Sequence, residues 1–299
     1  MAASQIQRGM FYMAIYTVLQ SLVWGIVRYV GDDLSTATLF FFRNLIGFCT
    51  IIPLFMKQGP ALFKTDKLRF HLLRAAFAFI GGFSVFFAVA HAPLASVVAM
   101  TYAAPVFAGV FAMVVFKEGV TLRRIVALGI GFIGVLIVLK PSFEMEVAGM
   151  IAAIIATITT AGAFLVVKKL SGTERSETVV AYPFVLILPF SALYAVTDWT
   201  SPTGIEWLLV LFIGLGTAIS QFYMVKAFAA ADASAVLPID FLRLVVAAIL
   251  GIALFGDVFD VQVVLGAAVI LSVTVYTARR EKRAERLKAE LLAAKTAAE

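Results

Sequence analysis

The sequence predicts an all-α polytopic membrane protein of ten transmembrane helices, built from two inverted five-helix repeats. Three observations support this fold class: the composition, a series of apolar runs, and the placement of charge along the chain. Apolar residues make up 62% of the 299 residues and charged residues only 14%, whereas soluble domains carry about a quarter charged residues. So few charges cannot cover a water-facing surface, so most of the surface must face lipid.

Ten runs have about the length of a bilayer-spanning helix, which is about 20 mostly apolar residues. The runs are continuous rather than alternating, so they indicate helices rather than strands. The fifth run is short, and its helix is predicted to begin near Leu122. The predicted spans are Gly9–Val27, Thr36–Met56, Phe70–Ala90, Ala95–Phe116, Ile125–Leu139, Val147–Val167, Thr178–Val196, Ile205–Val225, Ser234–Phe255 and Val261–Thr277.

The basic residues lie almost entirely at one end of the predicted bundle. If the N-terminus is cytoplasmic, the outer loops contain Arg28 and Lys140 as their only basic residues, and the inner loops and tail contain nearly all the others, Arg74 among them. This bias follows the positive-inside rule. It predicts a multi-pass protein of the inner (plasma) membrane with both termini in the cytoplasm. The basic pI therefore indicates orientation, and no nucleic-acid partner is expected.

Two predicted spans, the fourth and the ninth, carry similar sequences. Ala95-Ser96 opens the fourth, which ends in Phe116-Lys117-Glu118, and Ala233-Ser234 opens the ninth, which ends in Phe255-Gly256-Asp257. Spans one to five are therefore predicted to repeat as spans six to ten, and an odd unit must enter the membrane upside down. Inverted repeats are typical of alternating-access transporters. The predicted division is 1–141, 142–278 and a charged cytoplasmic helical tail, 279–299.

Charged residues inside the predicted spans are the first candidates for a substrate site, because charge within a bilayer is costly. Arg43 lies in the second span, and Asp240 and Arg243 share one face of the ninth at i and i+3. In one interpretation Arg43 or Arg243 binds a substrate carboxylate and Asp240 an amine or a proton. In the other, Asp240 and Arg243 neutralise each other, and Arg43 ties helices together through backbone carbonyls.

Uncharged polar and aromatic residues complete the predicted cavity. In the first span they form a stripe at spacings of three and four, which favours a cavity lining. Interhelical hydrogen bonding is the alternative for the polar residues, and lipid-facing packing is the alternative for the phenylalanines. Together with the charged residues, the predicted substrate-binding set is Gln20, Trp24, Arg43, Phe79, Phe83, Tyr102, Thr160, Gln221, Asp240 and Arg243.

Two prolines are predicted to mark a bend or gating hinge. Pro105 and Pro238 each interrupt the fourth helix of their repeat. Interrupted helices in corresponding positions of the two halves point to the binding site in inverted-repeat transporters.

Several other functions lack the motifs that they require. Gly129, Gly131 and Gly134 match GxGxxG, but they lie in an apolar run with no strand before them, so close helix packing is the better interpretation. No P-loop is present, so neither ATP nor another cofactor is expected. A single cysteine, Cys49, and two distant histidines do not predict a metal site. An intramembrane enzyme or a channel would need catalytic pairs or repeated pore residues, so no catalytic residue is assigned.

Four motifs carry a resemblance to a known family. They are Phe40-Phe41-Phe42-Arg43-Asn44, Tyr102-Ala103-Ala104-Pro105-Val106, Phe116-Lys117-Glu118, and Pro238-Ile239-Asp240-Phe241-Leu242-Arg243-Leu244 leading to Phe255-Gly256-Asp257. With these motifs the chain resembles the drug/metabolite transporter superfamily, in particular its EamA-type ten-helix members, and within them the YddG-type aromatic amino-acid exporters. Asp257 stands where the family usually has Glu, and a proline often found near Arg243 is replaced.

The resemblance implies a secondary active or facilitative transporter that exports small metabolites by alternating access. Neutral or aromatic amino acids are the first cargo that it implies; a nucleoside, a sugar or a drug-like cation is the alternative. The implied partners are a small-molecule substrate and the lipid bilayer. Proton coupling, facilitated exchange and the oligomeric state stay open.

Overall fold

The computed structural model describes residues 2–31, 33–91, 100–115, 122–139, 146–255, 265–266, 268–273, 275–276, 279 and 283. These residues form α-helices joined by turns and one 3₁₀ helix, Gly59–Phe63. Residues 265–266, 268–273 and 275–276 are helical as well. The α-helices are α1 (Ala2–Val30), α2 (Thr36–Gln58), α3 (Leu68–His91), α4 (Ala104–Val115), α5 (Leu122–Leu139), α6 (Val147–Ser171), α7 (Ser176–Ala195), α8 (Glu206–Ala230), α9 (Ala233–Asp240) and α10 (Leu242–Phe255).

Six segments are helical, long and apolar enough to cross a membrane. They lie in α1, in α2 with the 3₁₀ helix that follows it, and in α3, α6, α7 and α8. A further apolar stretch in α5, Ile125–Ile137, is shorter. The polytopic all-α fold predicted from the sequence is therefore confirmed. The count of ten spans stays a prediction, because it extends beyond the described residues.

Helix α2 shows how local sequence sets the boundaries of an element. Ser35 is extended and its hydroxyl accepts a hydrogen bond from the Thr38 amide at 3.2 Å, which caps an otherwise free donor. At the other end Gly59 has φ +59°, a left-handed conformation that favours glycine. Its amide donates to the Phe55 carbonyl. Pro60 then starts the 3₁₀ helix, where its missing N–H is not needed.

The ninth predicted span is broken in two. Helix α9 ends at Asp240 and α10 begins at Leu242, so the break at Phe241 follows Pro238 by three positions. A similar turn at residues 102–103 precedes α4, whose second residue is Pro105. Because proline lacks an amide donor and clashes with the preceding turn, it favours helix starts and breaks. Both predicted hinge prolines thus lie beside helix breaks, while their role in gating stays a prediction.

The helices pack mainly between the two halves of the chain. The most extensive contacts are α1 with α8 and α3 with α6; α2 packs on α7 and α8, and α4 packs on α6 and α9. Glycines allow the closest approaches. A Cβ added at Gly47 would lie 2.2 Å from the Phe184 ring, and one at Gly214 would lie 2.3 Å from Ile46 Cβ. Small residues at these crossings bring the backbones together, as is usual in membrane bundles.

The glycines of the GxGxxG match also serve packing. A Cβ at Gly131 would lie 2.4 Å from the Phe241 ring, and one at Gly134 would lie 2.8 Å from Ile270. Close helix packing is therefore confirmed for these two. Gly129 has no atom within 4 Å of an added Cβ, so its own position does not require a glycine.

Some predicted features lie outside the described residues. These include Lys117 and Glu118 after the fourth span, Gly256 and Asp257 after the ninth, and the predicted tail 279–299 apart from Arg279 and Arg283, which are helical.

Candidate substrate-binding site

A charged pair lies at the break between α9 and α10. Arg243 donates a hydrogen bond to Asp240 Oδ1 at 2.7 Å, and the two side chains are 20% and 4% exposed. The hydroxyl of Thr17 on α1 donates to the same Oδ1 atom at 3.2 Å. The neutralising pair considered from the sequence is therefore present, although it spans the break between two helices. A third side chain, from the other half of the chain, joins it.

Aromatic and hydroxyl groups surround this pair. The Arg243 guanidinium lies 5.2 Å from the ring centre of buried Tyr16, and Tyr102 lies in the turn before α4, a helix that packs on α9. We call Tyr16, Thr17, Tyr102, Asp240 and Arg243 the polar centre. The Nε atom of Arg243 is buried and has no partner among the described residues. The charges of the polar centre are therefore balanced, while one of its buried donors stays unpaired within the described part of the chain.

Two predicted cavity residues make interhelical hydrogen bonds instead of facing an open space. Gln20 on α1 accepts from Ser220 on α8 at 2.9 Å. Gln221 accepts at 3.2 Å from Arg74 on α3, which also donates to the carbonyl of Val179 on α7. These contacts match the alternative interpretation, in which polar side chains join helices.

Arg74 was assigned to an inner loop from the sequence, and that placement is wrong. It lies within α3 and is only 5% exposed. Its position inside the predicted span Phe70–Ala90 indicated a residue within a helix. Its proximity to other basic residues favoured the loop assignment instead. A buried guanidinium that bridges two helices satisfies its donors inside the bundle.

Lys168 was likewise counted with the loops and has a structural role. Its ammonium, at the end of α6, donates to the carbonyls of Phe228 at 3.1 Å and Ala231 at 2.6 Å. Phe228 lies in the last turn of α8, and Ala231 directly follows that helix. A cation near a helix C-terminus stabilises the unsatisfied carbonyls there, so Lys168 ties the end of α6 to the end of α8.

The two predicted phenylalanines, Phe79 and Phe83, line a cavity that contains no residue of the polar centre. A narrow cavity between α2, α3 and α7 is lined by Phe40, Phe79, Phe83 and Tyr194. Phe83 is 54% exposed, and its ring centre lies 6.4 Å from that of Tyr194. The Arg43 guanidinium lies 4.8 Å from the centre of the Phe40 ring. The structure therefore divides the predicted site into two parts, and Arg43 belongs to the aromatic one.

Two further predicted residues stand apart from both parts. Trp24 is 43% exposed on α1, and Thr160 on α6 is half-buried. The structure records a close approach between Thr160 and Gly81 of α3, where an added Cβ would lie 3.8 Å from the Thr160 hydroxyl oxygen.

Long apolar helices around a buried charged pair define an integral membrane protein, and charge inside the membrane usually serves transport. Sequence comparison is more specific: the profile of the EamA-like transporter family matches residues 7–140 and again residues 147–278. The chain belongs to the EamA-like transporter family, and the family and the names of its relatives are those of transporters of small metabolites.

Relatives with assigned functions align over nearly the whole chain. A riboflavin transporter of Vibrio cholerae is 32% identical over 283 residues, which is 91% of this chain and 95% of the relative. An S-adenosylmethionine uptake transporter of Rickettsia prowazekii is 26% identical over 92% of this chain and 94% of its own. A pseudopaline exporter of Pseudomonas aeruginosa is 23% identical over 94% of this chain and the whole of its own.

A solved crystal structure matches with a TM-score of 0.79, over 94% of this chain and 99% of the other. The two sequences are only 17% identical, so this likeness concerns the fold alone.

The family match also gives the register between the halves. Its two segments begin at residues 7 and 147, so Thr17 and Thr157 each lie ten positions into their segment. The motif residues Ala95 and Ala233 lie 138 apart, so Met100 stands two residues before the position that corresponds to Asp240. Thr157 donates to the carbonyl of Met100 at 2.9 Å, just as Thr17 donates to Asp240. A threonine in the first span of each half thus contacts the fourth span of the other half, once at a carboxylate and once at the backbone.

Proposed function

We propose that this protein carries a ring-containing small metabolite across the membrane by alternating access, with riboflavin as the first candidate cargo. The single observation that carries the choice is the end-to-end alignment, at 32% identity, with a relative named as a riboflavin transporter. Riboflavin combines a planar aromatic ring system with a chain of hydroxyls. The two parts of the candidate site offer matching chemistry, since one is aromatic and the other holds hydrogen-bonding groups.

In this proposal the polar centre contacts the polar part of the cargo. At the break between α9 and α10, Arg243 Nε offers a donor without a partner among the described residues. At the turn before α4, Tyr102 offers a hydroxyl. Binding sites of transporters commonly lie where helices are discontinuous near the bilayer midplane. The mutual neutralisation of Asp240 and Arg243 suits an uncharged cargo, because no net charge then requires a counter-ion.

Alternating access would use the two halves, 1–141 and 142–278, as units that rock against each other. The paired contacts α1/α8 and α3/α6 support this, because a twofold operation that exchanges the halves exchanges these pairs. Pro105 and Pro238 lie beside the breaks that would bend. The charge bias supports an N-terminus on the cytoplasmic side of a bacterial inner membrane. The ties made by Arg74 and Lys168 would then close the cytoplasmic end.

Large neutral amino acids form the second candidate cargo. The opposite charges of Asp240 and Arg243, 2.7 Å apart, match the amino and carboxylate groups of such a substrate. Binding would require the zwitterion to replace part of the internal pair. Export, which the resemblance implied, and uptake both remain proposals, since relatives are named for each direction.

The test is transport by the purified protein in liposomes. Saturable uptake of radiolabelled riboflavin, accelerated by unlabelled riboflavin inside the vesicles, is the expected result and identifies a carrier rather than a channel. Tryptophan and lysine serve as competitors: inhibition by tryptophan alone favours the second candidate. If neither riboflavin nor tryptophan moves faster than in protein-free liposomes, both cargo assignments are wrong.

A further inference from the structure

Arg43 lies on the face of α2 that packs inside the bundle. Ile46, three residues on, lies against Gly214 of α8, and Gly47, four residues on, lies against Phe184 of α7. Residues at i, i+3 and i+4 share one side of a helix. Arg43 therefore shares this inner side of α2 and does not point into lipid.

Within the part of the chain that the structure describes, the buried Nε atom of this guanidinium has no hydrogen-bond acceptor. Arg43 Nε is buried without a partner among the described residues, and the recorded contact of the group is the face of Phe40. A ring face does not fill the five N–H donors of arginine. Two other guanidiniums in the bundle do find acceptors: Arg74 binds Val179 and Gln221, and Arg243 binds Asp240. An unpaired charge inside a membrane is costly and typically marks a functional site.

Aromatic rings surround a space directly beside this group. An added Cβ on Gly82 would lie 3.4 Å from the Phe40 ring, so Phe40 packs closely on α3. Phe40 also lines the narrow cavity with three other rings, those of Phe79, Phe83 and Tyr194. The space measures only about 10 Å³ in this structure, so a planar ligand can enter it only after the helices around it move apart. Arg43, over the Phe40 ring, would then offer its donors to oxygen atoms of that ligand.

We infer that Arg43 and the rings around Phe40 form a second substrate position, separate from the polar centre, which selects cargo by an oxygen-rich or anionic edge. This inference rests on the transport function proposed above and adds a specificity-determining residue to it. The guanidinium donates hydrogen bonds to the ligand oxygens, and the rings pack against the planar part of the cargo.

Two sources can supply such oxygens: the carbonyls of a fused ring, as in riboflavin, or the carboxylate of an aromatic amino acid. Tryptamine, which has the ring of tryptophan but no carboxylate, separates them. If the carboxylate is what Arg43 binds, tryptophan competes for transport and tryptamine does not. If ring carbonyls are bound, riboflavin is carried and neither indole compound competes.

The first measurement needs no substrate. The melting temperature of the purified apo-protein in detergent is compared for wild type, Arg43→Met and the control Arg69→Met. Arg69 makes a similar contact with Phe70, at 5.0 Å, but is exposed. A ligand-binding Arg43 without a partner predicts an Arg43→Met protein that melts at the same or a higher temperature. A lower melting temperature than the control would show that Arg43 holds the helices together and would overturn the inference.

The second measurement is transport kinetics in liposomes. Arg43→Gln is expected to raise KM for riboflavin or tryptophan at least tenfold, Arg43→Lys to raise it less, and Arg69→Gln to leave it unchanged. An unchanged KM in Arg43→Gln would contradict the inference even when wild-type transport is intact. If the wild type carries neither probe, the cargo assignment fails, and the melting comparison alone decides the role of Arg43.

Discussion

A contact between the first span of one half and the fourth span of the other half occurs twice, with different chemistry. In one copy Thr17 donates to the carboxylate of Asp240, and in the other Thr157 donates to the backbone carbonyl of Met100. The difference between the two acceptors distinguishes a contact that holds the helices together from a charge that only one of the two contacts includes. Both copies join a first span to a fourth span across the bundle by a threonine, so the hydrogen bond belongs to the scaffold. Only one copy carries charge, which supports the proposal that the charged pair takes part in substrate binding.

Removing the Asp240 carboxylate is expected to have the largest effect on stability and transport. Asp240→Ala leaves Arg243 buried and unpaired, and the loss of one partner of a buried pair costs about 3–5 kcal/mol. We expect a large fall in melting temperature and no measurable uptake. Met100→Ala, at the residue that Thr157 contacts, is the control and is expected to retain transport, since Thr157 binds a backbone atom there. Equal losses in the two variants would refute the distinction between site and scaffold.

Gly131 tests whether packing behind the helix break supports the polar centre. An added Cβ would meet the Phe241 ring at 2.4 Å, and overpacking of this kind costs about 1–3 kcal/mol. Because Phe241 directly follows Asp240, Gly131→Ala should lower both the melting temperature and the rate of uptake. Gly129→Ala on the same helix meets no atom within 4 Å. It should be neutral or slightly stabilising, by up to about 1 kcal/mol; an equal effect of both changes would exclude Phe241 as the cause.

The smallest expected effect separates the two threonines themselves. Thr17→Val removes a donor to a charged acceptor and Thr157→Val a donor to a carbonyl, and each should cost about 1 kcal/mol of stability. Their transport should differ: Thr17→Val is expected to raise KM several-fold, because Asp240 loses one of its two partners. Thr157→Val should leave KM unchanged. Kinetics in liposomes measure both, and a shift of the same size in Thr157→Val would place the second copy in the site as well.

Much of the fold could be predicted because its determinants are local. Apolar runs of sufficient length specify helices in lipid, since every backbone amide must be satisfied within its own segment. Asp240 and Arg243 were paired correctly as one alternative, because i and i+3 are neighbours on any helix. The same reasoning from local sequence assigned Arg74 and Lys168 to loops, whereas both residues lie in helices. Nothing local separates a loop cation from one that turns inward to bind carbonyls on other helices.

The sequence by itself determined the membrane-embedded all-α class and a family resemblance that the family match confirmed, because composition, hydropathy and short motifs are properties of segments. It also placed Arg43, Asp240 and Arg243 within the spans. Only the tertiary structure decided which of them are satisfied. Thr17 reaches Asp240 from 223 positions away, while Arg43 meets a ring and no recorded acceptor. Whether a buried charge finds a partner depends on which helices meet, and that is a property of the packed bundle.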